Sequence, residues 1–328
     1  MELRTRFTEA FGLTTPIAQA GMAFVGMTPD LAVAVGNAGA LGSLGVGLMP
    51  PPAITEVITA IRAGTPAPFH VNFITVFTDQ AQIDAVCEAA VPAVSFHWGH
   101  PSQAWIDQLH SVGIKVFEQV GAVDAAKRAA GDGIDVIVAQ GSEAGGHNYA
   151  TLPTFALIPL VVDAVSPALV LASGGIADGR GLAAALMLGA DGAWIGTRLV
   201  ATDESLAHDD YKARLVTAPA TDTVRTSLFG PETPEFNPMR VLRTRVIDEK
   251  PRFTAERPII GHTVLGGRPM DVPRFSNLVP MRDVTTGDLE EMPLLAGQGV
   301  GLVDAVKSAG SVIADITAQA REALDRYR

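Results

Sequence analysis

Three glycine-rich segments in the middle of the chain carry residue types that could bind a phosphate and accept a proton. They span 140–147 (QGSEAGGH), 173–181 (SGGIADGRG) and 196–198 (GTR). Each segment follows a short apolar run, which places it at the end of a predicted buried strand. Glycines at the ends of adjacent parallel strands can turn backbone N–H groups toward a phosphate, and barrels commonly build such a site after strands 7 and 8.

A histidine, His147, ends the first of these segments. Gly145 and Gly146 before it allow backbone angles closed to other residues, so the chain can approach a flat ligand closely. An unperturbed imidazole titrates near pH 6.5, which suits it to remove a moderately acidic proton near neutral pH. The alternative is a histidine held by a loop carbonyl, but the neighbouring glycine segments favour a catalytic base.

The second and third segments combine hydroxyl groups with glycine amides. Together they predict a neutral cradle for a phosphate group. The residues of this predicted cradle are Ser173, Gly174, Gly175, Gly196 and Thr197. The alternative is that both turns need glycine for their geometry alone.

Amide side chains recur at the ends of predicted strands. Asn72 ends the third strand, and Gln119 and Gln140 lie at or just after the ends of the fifth and sixth. Because an amide both donates and accepts hydrogen bonds, it suits the edge of a heteroaromatic ring. Backbone contacts to the same ring are expected from the end of the first strand, at Gly21, Met22 and Ala23.

Two histidines follow the fourth predicted strand, His97 and His100, in the run SFHWGHP. No carboxylate lies beside them in the sequence, so we expect no metal site there. Both are predicted to line a substrate pocket, with plain packing as the alternative. The remaining histidines lie in no motif and are interpreted as structural or surface residues: His70, His110, His208 and His262.

Strand-like runs alternate with helix-like runs over about the first 200 residues, a rhythm typical of parallel sheets. The pattern predicts an α/β fold, a (β/α)8 TIM barrel, with an open doubly wound sheet as the competing fold. The predicted strands span 16–20, 41–44, 69–73, 93–96, 115–118, 136–139, 169–172 and 193–195.

The barrel is predicted to comprise residues 1–202 and to be completed by residues 293–328. Residues 203–292 are rich in proline and charge and lack the strand–helix rhythm. A segment of this length is seldom a structureless loop, so we predict a lid or subdomain over the active site. An amphipathic C-terminal helix is predicted over 303–327.

The composition limits the partners and the compartment. The net charge is −11, and no basic tract is present. This argues against nucleic acid and against an anionic membrane surface. Cys87 is the only cysteine, so no disulfide can form within the chain. Without an apolar run of membrane-spanning length or a signal-peptide pattern, a cytoplasmic protein is expected.

Taken together, these motifs resemble those of the nitronate monooxygenases, which are FMN-dependent TIM-barrel enzymes. The resemblance rests on seven segments: 16–22 (PIAQAGM), 71–73 (VNF), 95–99 (SFHWG), 143–147 (EAGGH), 173–181, 196–198 and 296–299 (AGQG). It implies FMN, with its phosphate on the predicted cradle and its ring near Met22, Asn72, Gln119 and Gln140. It also implies that His147 is the base in the oxidation of alkyl nitronates, or of nitroalkanes, by O2 to a carbonyl compound and nitrite.

Other activities stay open at this point. A similar barrel with the same Gly-Gly-His element occurs in FMN-dependent enoyl-acyl-carrier-protein reductases and NADH:quinone reductases. An enzyme of this kind would bind NAD(P)H as a partner in addition to its small-molecule substrate. A flavin-binding protein that serves assembly is a third alternative, and a homodimer also stays open. The chain departs from the family pattern at Asn148 and Tyr149, and residues 203–292 do not resemble the family.

Overall fold

A computed structural model describes residues 3–249 and 257–326 of the chain. The strands of the first 200 residues are β1 Ile17–Gln19, β2 Gly42–Gly45, β3 Phe69–Ile74, β4 Ala93–His97, β5 Lys115–Val120, β6 Val136–Gln140, β7 Gly146–His147, β8 Leu169–Ser173 and β9 Gly192–Ile195. All of these except β7 form an eight-stranded sheet, ordered β1-β9-β8-β6-β5-β4-β3-β2, in which neighbouring strands run parallel.

Hydrogen bonds between β1 and Leu41, the residue directly before β2, close this sheet into a barrel. The Gln19 amide donates to the Leu41 carbonyl at 2.9 Å, and the Leu41 amide donates to the Ile17 carbonyl at 3.0 Å. The side-chain amide of Gln19 then bonds both the N–H and the C=O of Ser43, at 3.1 and 3.0 Å. The predicted TIM barrel is therefore confirmed, and the open doubly wound sheet is excluded.

Helices cover the outside of the barrel, and several of them begin at a side-chain cap. The Asp79 carboxylate accepts from the Gln82 amide, and the Asp178 carboxylate caps the helix that follows it in the same way. No helix among the described residues is both long and apolar enough to cross a bilayer. The helices are α1 Arg6–Phe11, α2 Pro29–Asn37, α3 Pro51–Gly64, α4 Gln80–Glu88, α5 Gln103–Ser111, α6 Val123–Gly131, α7 Thr154–Val165, α8 Gly179–Met187, α9 Thr197–Val200, α10 Asp209–Thr217, α11 Arg245–Glu249 and α12 Ala309–Asp325.

Aromatic side chains fill the interior of the barrel. Phe7 of α1 is fully buried and contacts Phe117 at a ring-centroid distance of 6.4 Å. His70 lies in the same interior, stacked on Trp194 at 4.7 Å and on Phe117 at 5.9 Å. Its side chain is fully buried, and this burial lowers the pKa of His70 to about 4.

The buried His70 ring should make the folded state sensitive to acid. Its folded-state pKa lies below the unfolded value of about 6.5, so the unfolded chain binds this proton first as the pH falls. Stability is therefore complete above about pH 6.5 and is lost as the pH falls toward the folded pKa. Between pH 6.5 and 5 this one residue should remove about 2 kcal/mol from the free energy of unfolding. Urea unfolding at both pH values measures the loss.

The matched variant is His70→Phe, which keeps an aromatic ring against Trp194 and Phe117. We expect it to be less stable at pH 7, because two hydrogen bonds are lost, but to lose less stability on acidification than the native chain. An equal loss in both proteins would show that His70 does not carry the effect.

The described residues between 203 and 292 contribute strands to two small antiparallel sheets rather than forming β-α units. One consists of β10 Thr223–Thr226, β11 Met239–Leu242 and the short strand β7, and the other of β12 Ile259–Leu265, β13 Arg268–Pro273 and β14 Thr286–Gly287. In the first sheet Met239 pairs with His147 and Arg240 with Gly146. This segment is thus hydrogen-bonded directly to the first glycine-rich segment.

The predicted start of the C-terminal helix was wrong. The helix begins at Ala309, not at 303, because the Ser308 hydroxyl caps it by accepting from the Ser311 amide at 3.2 Å. Residues 298–302 form a short 3-10 helix instead. The predicted end at residue 327 lies outside the described residues.

Candidate active site

The carboxyl ends of the barrel strands bring predicted site residues to one rim, here called the barrel mouth. Side chains alternate along a strand, so the last inward-facing residues of neighbouring strands share one surface. The strand register pairs Gly45 with Asn72 and Gln140 with Ser173. The sequence-predicted residues at inward positions of the mouth are Asn72, Gln119, Gln140, Ser173 and Gly196.

The loop after β1, residues 21–23, lies against this rim, where backbone contacts to a ligand ring are predicted. A Cβ atom on Gly21 would lie 2.0 Å from Cγ of Asn72, so only glycine lets the chain pass the amide. A Cβ atom on Gly45 would lie 2.3 Å from the Met22 carbonyl oxygen and 2.9 Å from the Ala23 amide nitrogen. The backbone of residues 21–23 therefore packs closely onto β2 and β3 beside Asn72.

The two turns of the predicted phosphate cradle have the backbone geometry that glycine permits. Gly174 and Gly175 have φ angles of +116° and +74°, in the left-handed region that other residues avoid. Ser173 is 6% exposed at the end of β8. Gly196 and Thr197 lie at the next strand end, where Thr197 opens α9.

A late segment, residues 296–299, connects the glycine-rich segments to one another. The Gly297 amide donates to the Thr197 hydroxyl at 3.0 Å, and the Gln298 amide donates to the Glu143 carbonyl at 2.8 Å. A Cβ atom on Gly299 would lie 2.9 Å from the Gly175 carbonyl oxygen. The sequence predicts no role for this segment, and its Gly-x-Gly spacing is the signal that indicates such close packing.

His147 has a defined tautomer. Its Nδ1 lies 2.5 Å from the Phe236 carbonyl oxygen, which can only accept, so Nδ1 carries the proton. The lone pair is therefore on Nε2. The Phe236 ring also stacks on the imidazole at a centroid distance of 3.5 Å. Burial, and to a smaller extent the nearby His97, lowers the pKa of His147 to about 3, so the ring is neutral near pH 7.

Trp98 forms an aromatic wall beside His147. Its ring lies 5.7 Å from that of His147, 5.3 Å from that of Tyr149 and 5.2 Å from that of Phe236. Its indole N–H donates to the Glu235 carbonyl at 2.9 Å. Trp98 has a φ of +59°, which is rare for a bulky side chain and marks a backbone held in place by its surroundings.

The structure separates the two histidines of the SFHWGHP run. His97 lies at the mouth, where its Nδ1 accepts from the Gln119 amide at 2.9 Å, and burial lowers its pKa to about 4. In contrast, both ring nitrogens of His100 contact carboxylates, those of Glu118 at 2.7 Å and Asp132 at 3.1 Å. His100 therefore has no free ring nitrogen to bind a substrate, and its geometry gives no support to the prediction that it lines the substrate pocket.

The two residues that depart from the family pattern stabilise the loop around His147. Asn148 is fully buried, and its Nδ2 donates to the carbonyls of Gly141 and Ala144, both at 3.0 Å. The Tyr149 hydroxyl accepts from the Gly121 amide at 3.2 Å. Asn148 thus holds the loop in shape, and Tyr149 contacts Trp98 beside the imidazole.

The barrel mouth contains an unsatisfied acceptor. Gln140 donates through Nε2 to the His147 carbonyl at 3.3 Å, but its Oε1 is buried and has no hydrogen-bond partner. An unpaired buried acceptor is costly, so a ligand N–H at this position would be stabilising. Among the described residues, no three His, Cys, Asp or Glu side chains are placed to hold a metal ion. The available groups therefore fit an organic ligand with a donor edge and a phosphate.

Comparison with known proteins gives consistent results. The nitronate monooxygenase family model matches residues 4–84 and 74–319. A probable nitronate monooxygenase from Staphylococcus saprophyticus is 31% identical over 99% of this chain and 100% of its own. The (3aS,4S,5R,7aS)-5-hydroxy-7a-methyl-1-oxo-octahydro-1H-indene-4-carboxyl-CoA dehydrogenase of Mycobacterium tuberculosis is 36% identical over 76% of this chain and 69% of its own.

Two solved structures extend the similarity to the whole fold. FabK from Thermotoga maritima is 33% identical, with a TM-score of 0.83 over 99% of both chains. A nitroalkane oxidase from Streptomyces ansochromogenes is 26% identical, with a TM-score of 0.80 over 98% of this chain and 99% of its own. From the matched family model, the full-length relative and the glycine-lined barrel mouth, we conclude that the chain belongs to the nitronate monooxygenase family of flavin-dependent oxidoreductases.

Proposed function

We propose that the protein uses FMN to oxidise alkyl nitronates with O2, giving a carbonyl compound and nitrite. The observation that carries the proposal is the rim of amides and glycine turns beside a neutral His147 ring, whose free Nε2 is needed only for the nitroalkane form of the substrate. The family match and the similarity to a nitroalkane oxidase support the same chemistry. The substrate is thus a small molecule, with O2 as the second reactant.

The same residues would hold the cofactor. The phosphate would lie on the glycine amides and hydroxyls of the two turns at 173–175 and 196–197, and the ring edge would meet amides at the mouth. The unpaired Oε1 of Gln140 supports this placement, since it needs a hydrogen-bond donor that the chain does not provide. When bound, FMN supplies the electron acceptor. The ring contacts would come from Gly21, Met22, Ala23, Asn72, Gln119, Gln140, Gly145 and Gly146.

His147 would accept the proton from the carbon beside a nitro group through Nε2. Its hydrogen bond to the Phe236 carbonyl holds the ring in the required tautomer, and Trp98 and Phe236 restrict its movement. Because the pKa of His147 is lowered to about 3, taking a proton from a neutral nitroalkane is costly unless an anion forms beside the ring. A preformed nitronate avoids that step and is the favoured substrate.

Residues 203–292 would act as a lid over a barrel built from 1–202 and 293–328. The contacts that support this role come from Glu235 and Phe236, which touch Trp98 and His147 above the mouth. Such a lid would exclude water while the substrate lies between it and the cofactor. His97, at the mouth beside Gln119, would line the substrate side of the pocket.

A second candidate is hydrogen transfer to or from a substrate with NAD(P)H as partner. The observation that favours it is the 36% identity to a carboxyl-CoA dehydrogenase, which is higher than the 31% identity to the probable nitronate monooxygenase. The latter relative, however, matches the full length of the chain. We therefore retain nitronate oxidation as the first proposal.

Anaerobic mixing separates the two candidates. The purified flavoprotein is combined with propionate 3-nitronate or with NADH or NADPH, and the flavin absorbance is followed over time. We expect rapid bleaching by the nitronate and slow bleaching by either nicotinamide. On admission of O2, nitrite should appear with the nitronate sample alone.

The opposite pattern, with fast bleaching by a nicotinamide and none by the nitronate, would establish the reductase alternative. If the protein binds flavin but neither the nitronate nor a nicotinamide reduces it, an assembly role becomes the better explanation.

A further inference from the structure

A chain of buried hydrogen bonds lies directly beneath the barrel mouth. His70 Nε2 is 2.9 Å from the Gln19 carbonyl oxygen, and His70 Nδ1 is 2.9 Å from the Ser95 hydroxyl oxygen. Ser95 Oγ in turn lies 2.8 Å from Asn72 Nδ2. His70 and Gln19 are fully buried, and Ser95 and Asn72 are nearly so. The chain thus ends on an amide of the proposed cofactor site.

Each hydrogen bond in this chain has a fixed direction. The Gln19 carbonyl can only accept, so the proton of the His70 ring is on Nε2. Nδ1 of this neutral ring is then an acceptor, and the Ser95 hydroxyl must donate to it. The Ser95 oxygen is left to accept from Asn72, which places the NH2 group of that amide toward Ser95.

Neighbouring groups leave little freedom to reverse these directions. The His70 ring is stacked on Trp194 at 4.7 Å and on Phe117 at 5.9 Å, so it cannot turn without repacking the interior. Gly21 packs against the Asn72 amide, because a Cβ atom there would lie 2.0 Å from its Cγ. Within the described residues, Oδ1 of Asn72 accepts no hydrogen bond.

We propose that His70 and Ser95 are positioning residues that orient the Asn72 amide, so that its oxygen rather than its NH2 group faces a ligand in the barrel mouth. The site would then offer an acceptor at this point and would select a ligand N–H. The inference rests on the proposed FMN site and names two residues that act on it through Asn72.

Ser95→Ala tests the proposal, and Ser43→Ala is its matched control. Ser43 lies on β2 directly across from His70 and is fully buried, but its hydroxyl has no hydrogen-bond partner. Removing the Ser95 hydroxyl leaves the Asn72 NH2 group only a long hydrogen bond, 3.5 Å, to the Ser95 backbone carbonyl, so the amide can turn more easily. We expect Ser95→Ala to raise the Kd for FMN about tenfold and to shift the flavin absorption spectrum. Ser43→Ala should match the native protein in both.

The tautomer of His70 gives a second readout that needs neither FMN nor a variant. In the native chain with 15N-labelled histidine, NMR should show a neutral His70 ring protonated on Nε2. A ring protonated on Nδ1 would overturn the proposal, as would FMN affinity and spectrum unchanged by Ser95→Ala. If the native chain binds no FMN, the proposed function fails, while the NMR result still decides the direction of the hydrogen-bond chain.

Discussion

Replacing His147 with alanine should lower the rate on neutral nitroalkanes by roughly two to four orders of magnitude, the usual worth of a positioned general base. The Nε2 lone pair is the free proton acceptor of this ring, because Nδ1 is occupied by the Phe236 carbonyl. Preformed nitronates have already lost the proton, so their rate should stay within about tenfold of the native rate. Stopped-flow measurement of flavin reduction with each form of the same compound gives both values.

The control for this variant is His262→Ala. His262 is exposed on β12 and contacts Asp271, so its loss should change neither rate. Full activity of His147→Ala on nitroalkanes would remove the residue from the mechanism. An equal loss on nitroalkanes and nitronates would assign it to substrate binding rather than to proton removal.

Gly145→Ala should weaken both the fold and the proposed cofactor site. The added Cβ atom would lie 2.5 Å from the carbonyl carbon of Ala296 and from the amide nitrogen of Gly297. Both are backbone atoms, so the segment 296–299 and the loop before His147 must move apart. We expect the free energy of unfolding to fall by about 1–3 kcal/mol and FMN affinity to fall roughly a hundredfold. Urea unfolding and fluorescence titration with FMN measure the two effects.

Gly310→Ala provides the comparison, because nothing lies within 4 Å of a Cβ atom at that position in α12. Alanine is the better helix former, so this variant should be as stable as the native chain or slightly more stable. If Gly145→Ala retained native stability and FMN affinity, the close packing of residues 296–299 would not be needed for the site.

The barrel could be predicted from the sequence because its signals are local. Apolar runs such as 136–139 and 169–172 are each followed, after one polar residue, by glycine, and each forms a strand within one residue of the predicted bounds. The amides of Asn72 and Gln140 could also be placed, since strand ends in a parallel barrel meet at one rim. The alternation of residues along β3 could further have placed His70 on the same inner face as Asn72, two positions away, but no motif marked it.

The remaining features depend on contacts between distant parts of the chain. The pairing of β7 with β11, and the hydrogen bond from His147 to Phe236 89 residues away, have no local sequence signal. The same holds for the packing of Gly297 on the loop at Gly145. For such contacts the sequence shows only that glycines and aromatics are present, and the tertiary structure determines which of them meet.

Identification of the bound cofactor tests the central claim most directly. The protein is purified, denatured and filtered, and the released chromophore is identified by mass spectrometry and quantified against the chain. We predict a yellow protein that releases FMN in a ratio of about one per chain, consistent with one phosphate cradle at residues 173–175 and 196–197. A colourless protein that also fails to bind added FMN would contradict the account.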